Sequence, residues 1–144
     1  LGRPSKDFTI YRPDRLAEAI AEGDFVVVVL PLTDNTRGLI AEKELSSMKP
    51  SAWLMHIGRG HVVDEHALQQ VLAERRIGGA ILDVFSTEPL PADSPLWAMD
   101  NVVVTPHVAA LSLVAEVVPV FNDNLRRYLA GQKLRFLVNR MRVY

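Results

Sequence analysis

The chain has 144 residues, which is enough for one domain with a buried core and too few for two domains of ordinary size. Its formal net charge is −1 and it has no basic block interleaved with aromatic residues, so we expect small molecules or proteins as partners and exclude nucleic acid. The lack of cysteine excludes disulfides, thiolate catalysis and cysteine-bound metals, and the lack of a signal peptide or a membrane-length apolar run predicts a cytoplasmic protein without a membrane partner.

The first predicted elements are a helix and two strands. Asp14 is placed to cap a helix that carries Leu16 and ends at Gly23. The apolar run FVVVVL (25–30) follows without alternation, which is typical of a strand buried on both faces. The run AWLMHI (52–57) has the same character and predicts a second strand of this kind.

A second helix and two more strands are predicted further along the chain. Asp64 is placed to cap a helix that ends before Gly78. The apolar residues of this helix are Ala67, Leu68, Val71 and Leu72. The runs GAILDVF (79–85) and VVVT (102–105) again lack alternation and predict strands, whereas the prolines of 86–97 predict a loop.

The last predicted element is a long helix from Ser112 to Ala130, whose apolar residues recur at helical spacing. Pro119 is expected to kink this helix or to break it locally. Strands that alternate with helices predict parallel βαβ units. The predicted fold class is therefore α/β, with a parallel sheet flanked by helices.

Polar residues follow each predicted strand. Ligands in open α/β sheets bind beyond the carboxyl ends of the strands, so these positions are the candidates for a site. They are LPLTDNT within 30–36, Gly58-Arg59-Gly60, Asp83 with Glu88, and His107. The pattern predicts that all four groups converge on one crevice.

Arg59 stands between two glycines. Gly58 and Gly60 would let the backbone pass close to a ligand while Arg59 binds an anionic group, although a solvated loop charge is the ordinary alternative. His107 follows a proline, so we expect extended backbone there and a side chain that titrates near neutral pH. Glu88 by itself fits a solvated loop acid, and Asp83 fits a buried hydrogen-bonding role as well as a ligand role.

Two further patterns carry no site. His56, His61 and His66 are five residues apart, whereas metal-ligand pairs on a helix are three or four apart, so we predict no metal. Gly58-Arg59-Gly60 begins like the fingerprint GxGxxG, but Val63 stands at the third glycine position. The glycine fingerprint that binds the phosphates of a dinucleotide is therefore absent.

Motifs along nearly the whole chain resemble the C-terminal part of the D-isomer-specific 2-hydroxyacid dehydrogenases. The motifs are LPLTDNTRGLI (30–40), MKP (48–50), GRGHVVDEHAL (58–68), GGAILDVFSTEPLP (78–91), SPLW (94–97) and TPHVA (105–109). Several motifs in the right order make the resemblance specific. TPHVAALS and the terminal NRMRVY further resemble the glyoxylate/hydroxypyruvate reductase branch, from whose usual ending Asn139 and Val143 depart.

The resemblance implies an NAD(P)-dependent oxidoreductase that reduces a small 2-oxo acid, glyoxylate or hydroxypyruvate, with Arg59, Glu88 and His107 as catalytic residues. Arg59 would bind the substrate carboxylate and keto oxygen, because a guanidinium can form two parallel hydrogen bonds. His107 would be the acid and base, because hydride arrival creates an alkoxide that needs a proton. Glu88 would pair with the histidine, since a nearby carboxylate favours the charged imidazole.

The resemblance also implies cofactor contacts. The nicotinamide ribose would lie beside Ile57 and Gly58, the nicotinamide amide near Asp83, and the adenosine side near Pro31 and Thr36. Arg59 and His107 belong to the cofactor-binding set as well. Arg3, with Lys6, would meet a 2′-phosphate by analogy with the reductase branch, or would be a solvated loop charge. The expected cofactor is NADP or NAD, with NADPH favoured.

The resemblance divides the chain into two parts. Residues 1–111 would be the distal part of a Rossmann-type NAD(P)-binding domain without its glycine-rich first βαβ unit. Residues 112–144 would be a C-terminal helix and tail that lead towards an absent substrate-binding domain. A homodimer is implied. Because the fingerprint is absent, we expect the isolated chain to bind NADPH negligibly, to be inactive and to self-associate.

Two other functions fit the same motifs. One is a non-enzymatic NAD(H)-sensing protein-interaction module, since transcriptional corepressors resemble this family. The other is a truncated fragment that only dimerises. Turnover of glyoxylate or hydroxypyruvate by the intact protein would separate an enzyme from both.

Overall fold

A computed structural model describes residues 8–110 and 112–139, and the chain divides into two compact units, with the boundary between His107 and Val108. The first unit contains, in chain order, α1 (Leu16–Glu22), β1 (Phe25–Val28), α2 (Glu42–Ser46), β2 (Trp53–His56), α3 (Glu65–Ala73), β3 (Gly79–Leu82) and β4 (Val102–Val104). Short 3₁₀ turns occur at Pro13–Arg15, Gly60–Val62 and Pro95–Ala98. The second unit contains α4 (Val114–Leu129).

The four strands form one parallel sheet in the order β1-β2-β3-β4. Phe25 is opposite Trp53, Trp53 is opposite Gly79, and Ala80 is opposite Val102. Because the helices follow the strands as parallel crossovers require, the predicted α/β architecture is confirmed. The carboxyl ends of all four strands consequently lie at the same edge of the sheet.

The prediction that the strands are buried on both faces holds only for the two inner strands, β2 and β3. Leu54 in β2 and Ala80 in β3 are fully buried. The prediction is wrong for the two outer strands, since Phe25, Val27 and Val103 are 65%, 52% and 48% exposed. The physical reason is position, because β1 and β4 are the edges of the sheet that the structure describes and have a neighbour on one side only.

The core lies between the sheet and the helices. Asp64 caps α3 as predicted, because its Oδ1 accepts a hydrogen bond from the Ala67 N–H at 3.1 Å. The four apolar residues predicted for this helix are all buried. The wider core cluster includes Ile20, Val28, Ile40, Leu45, Leu54, Val62, Ile77, Leu82 and Leu96.

Asp14 does not cap a helix, so that prediction is wrong. It lies inside the 3₁₀ turn Pro13–Arg15, and its Oδ1 accepts a hydrogen bond from Arg12 Nε at 3.2 Å. The turn moves the start of α1 past Asp14, and no side chain caps α1. Gly23 ends α1 as predicted.

The second unit confirms the long C-terminal helix with slightly closer bounds than predicted. The helix is continuous through Pro119, which removes one backbone donor without breaking the helix. After Gly131, the Asn124 side chain holds the returning chain, because its Oδ1 accepts from the Arg135 N–H at 2.8 Å. No helix in the two described ranges is both long and apolar enough to cross a bilayer.

Candidate active site

Glu88 and His107 form a hydrogen-bonded pair beyond the carboxyl ends of β3 and β4. The carboxylate oxygen Oε2 of Glu88 lies 2.7 Å from His107 Nδ1, and Oε1 accepts a hydrogen bond from the Phe85 N–H at 2.9 Å. The pair joins residues that are 19 positions apart in the chain. With Nδ1 turned to the carboxylate, Nε2 is the ring nitrogen that is placed to serve a substrate.

The surroundings of Glu88 favour its ionised form. The hydrogen bond with His107 is the largest cause that lowers the pKa of Glu88 below its ordinary value, while burial opposes it. The Phe85 N–H and the charges of His107 and Arg59 lower the pKa of Glu88 further. A carboxylate that is already charged at neutral pH can orient the imidazole and stabilise its protonated form.

The backbone at His107 is not extended, which corrects the sequence prediction. His107 has a φ of 54°, in the left-handed region, and its N–H donates to the Thr105 carbonyl at 3.1 Å. A proline restricts the residue before it, which is Thr105, and leaves the following residue able to turn. A non-glycine residue held in this region stores backbone strain, which is common at functional sites.

Asp83 and Thr105 connect the ends of β3 and β4. The Thr105 hydroxyl donates to Asp83 Oδ1 at 2.5 Å, and Asp83 is only 2% exposed. This contact corresponds to the buried hydrogen-bonding role that the sequence left open for Asp83. The contact of Asp83 with a nicotinamide amide stays a prediction.

A cavity of about 410 Å³ adjoins the Glu88–His107 pair. Glu88, His107, Asp83 and Thr105 form the polar part of its wall, and the rest of the lining is apolar. The apolar lining residues are Phe85, Pro89, Leu90, Trp97, Val104 and Pro106. The pair therefore has a concave and largely apolar surface beside it, which is the usual setting of a small-molecule site.

Arg59 lies at the end of β2, outside the lining of this cavity. Its side chain is exposed in the loop, and Nη1 donates to the carbonyl of the neighbouring Gly58 at 2.7 Å. A guanidinium has five N–H donors, so this one contact leaves others for a ligand. The charge of Arg59 contributes to the lowered pKa of Glu88, which indicates that the two side chains share one electrostatic environment.

The glycines beside Arg59 are required by packing within the chain, and the close approach of a ligand to them stays a prediction. A Cβ at Gly58 would lie 2.9 Å from the Leu30 carbonyl oxygen. A Cβ at Gly60 would lie 1.9 Å from the Phe85 carbonyl oxygen. Gly60 thus lets the loop that carries Arg59 press directly against the loop that carries Glu88.

Gly60→Ala is therefore expected to destabilise the protein by about 1–3 kcal/mol, because a methyl group must displace the Phe85 backbone. Gly23→Ala is the matched control, since its added Cβ would have ordinary neighbours at 3.4 Å or more. Urea unfolding of both variants measures the difference. Equal midpoints for the two variants would contradict the close approach of the two loops.

Pro31 and Thr36 meet in a turn after β1. The Thr36 hydroxyl donates to the Pro31 carbonyl at 2.6 Å and accepts from the Thr33 N–H at 2.8 Å. The turn lies at the carboxyl edge of β1, and exposed Ile57 follows the neighbouring strand β2. Arg3 and Lys6 lie outside the described residues. The cofactor contacts of Pro31, Thr36, Ile57 and Gly58 stay predictions.

Thr105 and Glu65 are site residues that the sequence reasoning missed. Thr105 fixes Asp83, and Glu65 Oε2 accepts a hydrogen bond from the Ser86 N–H at 2.8 Å, which holds the loop before Glu88. Glu65 follows the helix cap directly and therefore had the pattern of an ordinary first-turn acid. Within residues 8–110 and 112–139, no group of three potential metal-binding side chains is close enough to hold an ion.

Comparison with known families gives a match over most of the chain. Residues 3–109 match the family described as D-isomer specific 2-hydroxyacid dehydrogenase, NAD binding domain. Glyoxylate/hydroxypyruvate reductase B of Pectobacterium carotovorum is 46% identical over 122 residues, which are 83% of this chain and 38% of that protein. (S)-Sulfolactate dehydrogenase of Chromohalobacter salexigens is 41% identical over 123 residues, 84% of this chain and 40% of that protein. The chain thus spans about two fifths of these relatives.

Solved structures give the same result. One is the NADPH-dependent glyoxylate/hydroxypyruvate reductase from Sinorhizobium meliloti in complex with NADP and sulfate, with a TM-score of 0.92 and 32% sequence identity. The match covers 100% of this chain and 47% of that chain. A D-isomer specific 2-hydroxyacid dehydrogenase from Xanthobacter autotrophicus, in complex with NADPH and MES, has a TM-score of 0.87 at 44% identity, over 91% of this chain and 54% of that chain. The parallel sheet flanked by helices is therefore Rossmann-like.

Proposed function

Because the chain belongs to the D-isomer specific 2-hydroxyacid dehydrogenase family, we propose that the full-length protein reduces a small 2-oxo acid to the 2-hydroxy acid with NADPH as hydride donor. The observation that carries the proposal is the 2.7 Å contact between Glu88 and His107 beside a cavity at the carboxyl edge of the sheet. An imidazole held by an ionised carboxylate is a suitable proton donor to an alkoxide.

His107 supplies the proton through Nε2, and Glu88 keeps Nδ1 in place. The keto oxygen becomes an alkoxide when hydride arrives at the neighbouring carbon, and the imidazolium neutralises it by proton transfer. Glu88 accepts from two sides, from His107 and from the Phe85 N–H, so its carboxylate cannot turn away without losing a backbone contact. In the reverse reaction, neutral His107 accepts the hydroxyl proton.

Arg59 binds the substrate carboxylate. The guanidinium is exposed, always charged and anchored at one nitrogen by the Gly58 carbonyl. Two of its remaining N–H groups can hold a 2-oxo acid with parallel hydrogen bonds, which fixes the face that the carbonyl carbon presents. Gly60 keeps this loop against the Phe85 backbone and thus close to the Glu88–His107 pair.

The described residues fit one side of a dinucleotide site. Val29, Leu30 and Ile57 expose apolar side chains at the carboxyl edge of the sheet, which suits the flat rings of a nucleotide. When bound there, the reduced nicotinamide supplies the hydride. We assign the remaining contacts of the dinucleotide to Asp83, Pro31, Thr36 and Gly58. The sequence contains no GxGxxG, so we assign no residue of this chain to the pyrophosphate.

Small 2-oxo acids are the proposed substrates, with glyoxylate and hydroxypyruvate as the first choices. Relatives at 46% and 32% identity carry the name glyoxylate/hydroxypyruvate reductase, and the latter is described as NADPH-dependent. The proposal includes a cytoplasmic location, where reduced cofactor is available, and a homodimer in solution. Light scattering of the full-length protein measures the oligomeric state.

Steady-state NADPH oxidation by the full-length protein, with glyoxylate, hydroxypyruvate and pyruvate supplied in turn, tests the proposed function. We expect turnover with at least one of the first two acids and a higher kcat/KM with NADPH than with NADH. Binding of NADPH without turnover of any 2-oxo acid would contradict the proposal, and would favour a non-enzymatic module that senses the cofactor.

Glu88→Gln is expected to shift the alkaline limb of the kcat/KM profile to lower pH. The pKa of Glu88 is lowered by His107, so the carboxylate is charged at neutral pH and stabilises the imidazolium that reduction requires. The neutral amide supplies no such charge. Asp93→Asn removes the same charge at an exposed position of the same loop and serves as the control. An unshifted limb in the Glu88 variant would separate Glu88 from the histidine.

A further inference from the structure

Two side chains hold the loops of the candidate site from behind. His56, the last residue of β2, is 2% exposed, and its Nε2 lies 3.4 Å from the Gly60 carbonyl oxygen. Glu65, the first residue of α3, accepts a hydrogen bond from the Ser86 N–H at 2.8 Å. Gly60 is adjacent in the chain to Arg59, a proposed site residue. Ser86 is adjacent to Phe85, whose N–H donates to Glu88.

These contacts join the two loops into one unit. Gly60 follows Arg59 directly, and Ser86 follows Phe85, whose N–H binds Glu88. Gly60 and Phe85 are pressed together at their backbones, as the 1.9 Å approach of an added Cβ shows. His56, Gly60, Glu65 and Phe85 line one small cavity behind this junction, which apolar core residues close on the other sides.

His56 occupies this place at an energetic cost. Burial is the largest cause that lowers the pKa of His56, so the ring is neutral at neutral pH. The backbone of Gly60, Val28 and Arg59 opposes this lowering of the pKa of His56. In the tautomer in which Nε2 donates to Gly60, Nδ1 is buried and has no hydrogen-bond partner among the residues that the structure describes. A buried unsatisfied acceptor costs stability, and an apolar residue of similar size would avoid that cost. The contact with the Gly60 carbonyl is what an apolar residue cannot supply.

Resting on the proposed function, we propose that His56 and Glu65 are positioning residues, with His56 fixing the loop of Arg59 and Glu65 fixing the loop of Glu88. They act through their hydrogen bonds to the Gly60 carbonyl and the Ser86 N–H. The consequence is a fixed separation between the group that binds the substrate carboxylate and the group that donates the proton. Such a separation governs whether a bound 2-oxo acid reaches a reactive geometry.

The role of His56 predicts that function and stability respond differently to its removal. In His56→Phe the hydrogen bond to Gly60 and the unsatisfied Nδ1 are both lost. We therefore expect an unchanged or higher free energy of unfolding together with a rise in KM for the 2-oxo acid of about 10- to 100-fold and a smaller change in kcat. A structural core role would instead lower stability and leave KM unchanged.

The role of Glu65 predicts rescue by the amide. Glu65→Gln retains an oxygen that accepts from the Ser86 N–H, whereas Glu65→Ala removes it. We expect kcat to fall about 10-fold in Glu65→Ala and to stay near the wild-type value in Glu65→Gln. Equal kcat values in the two variants would contradict the positioning role of Glu65.

Amide hydrogen exchange of the full-length protein decides the inference independently of activity. The N–H groups of Val62 and Val63 donate to the Arg59 and Gly60 carbonyls, so their exchange reports on this loop. We expect faster exchange at both in His56→Phe, and unchanged exchange at Leu68 in α3. His66→Phe, at an exposed position, is the control, and His56→Leu replaces the first variant if the larger ring prevents folding.

Wild-type exchange at Val62 and Val63 in a folded His56 variant would overturn the inference, even if the wild-type protein reduces 2-oxo acids. Faster exchange in a protein that reduces no 2-oxo acid would instead leave the coupling of the two loops standing and overturn the proposed function alone.

Discussion

His107→Asn in the full-length protein is expected to lower kcat for 2-oxo acid reduction by about 10²- to 10⁴-fold, the usual contribution of a positioned general acid. Asparagine is neutral at all relevant pH values and cannot deliver a proton to the alkoxide. It can still donate a hydrogen bond to Glu88, so the loop geometry is retained. The dissociation constant for NADPH should consequently change little, because the lost step is chemical.

Steady-state kinetics and isothermal titration with NADPH measure the two quantities separately. His66→Asn is the matched control, because His66 is exposed in the first turn of α3 and is not among the residues that line the cavity. A His107 variant that retains the kcat of the control would remove His107 from the mechanism. A variant that loses NADPH binding as well would indicate a structural role for the residue.

Arg59→Lys is expected to lower kcat/KM for the 2-oxo acid by about 10- to 100-fold, mainly through a higher KM, because charge-assisted hydrogen bonds are each worth about 1.5–3 kcal/mol. An ammonium keeps the charge but has no planar pair of donors for a carboxylate. It also cannot hold the Gly58 carbonyl and the substrate at the same time in the geometry of a guanidinium.

The matched control is Arg75→Lys, an exposed arginine that follows α3 and pairs with Asp100. Saturation curves for glyoxylate at a fixed, saturating NADPH concentration give KM and kcat for both variants. If Arg59→Lys retained the kcat/KM of the control, a positive charge alone would be enough to bind the substrate carboxylate. That result would contradict the proposed pair of parallel hydrogen bonds from Arg59.

Local signals in the sequence predicted much of the fold. Asp64 caps α3 and the apolar residues of that helix are buried, because cap and periodicity both act within a few residues. The prediction that Asp14 caps α1 failed because an arginine two residues away competes for its carboxylate and a 3₁₀ turn precedes the helix. The five-residue helix α2 was not predicted, since it is too short to display a helical period.

Long-range contacts explain what the sequence did not reveal at the site. The glycines at 58 and 60 have the pattern of a ligand-binding loop, yet the atoms that require them belong to Leu30 and Phe85, which are distant in sequence. Glu88 and His107 are each ambiguous alone, and only the resemblance to a family indicated that they pair. The turn at His107 depends on which neighbour a proline restricts, and the prediction assigned the wrong one.

A crystal structure of the full-length protein with NADPH and oxamate would show whether Arg59 and His107 bind the same 2-oxo acid. Oxamate has the carboxylate and carbonyl of a 2-oxo acid but accepts no hydride. We expect two Arg59 nitrogens on the oxamate carboxylate and His107 Nε2 on its carbonyl oxygen, each at about 2.6–3.2 Å, with the Glu88–His107 hydrogen bond intact. Oxamate bound away from Arg59, or His107 turned from the carbonyl, would contradict this expectation.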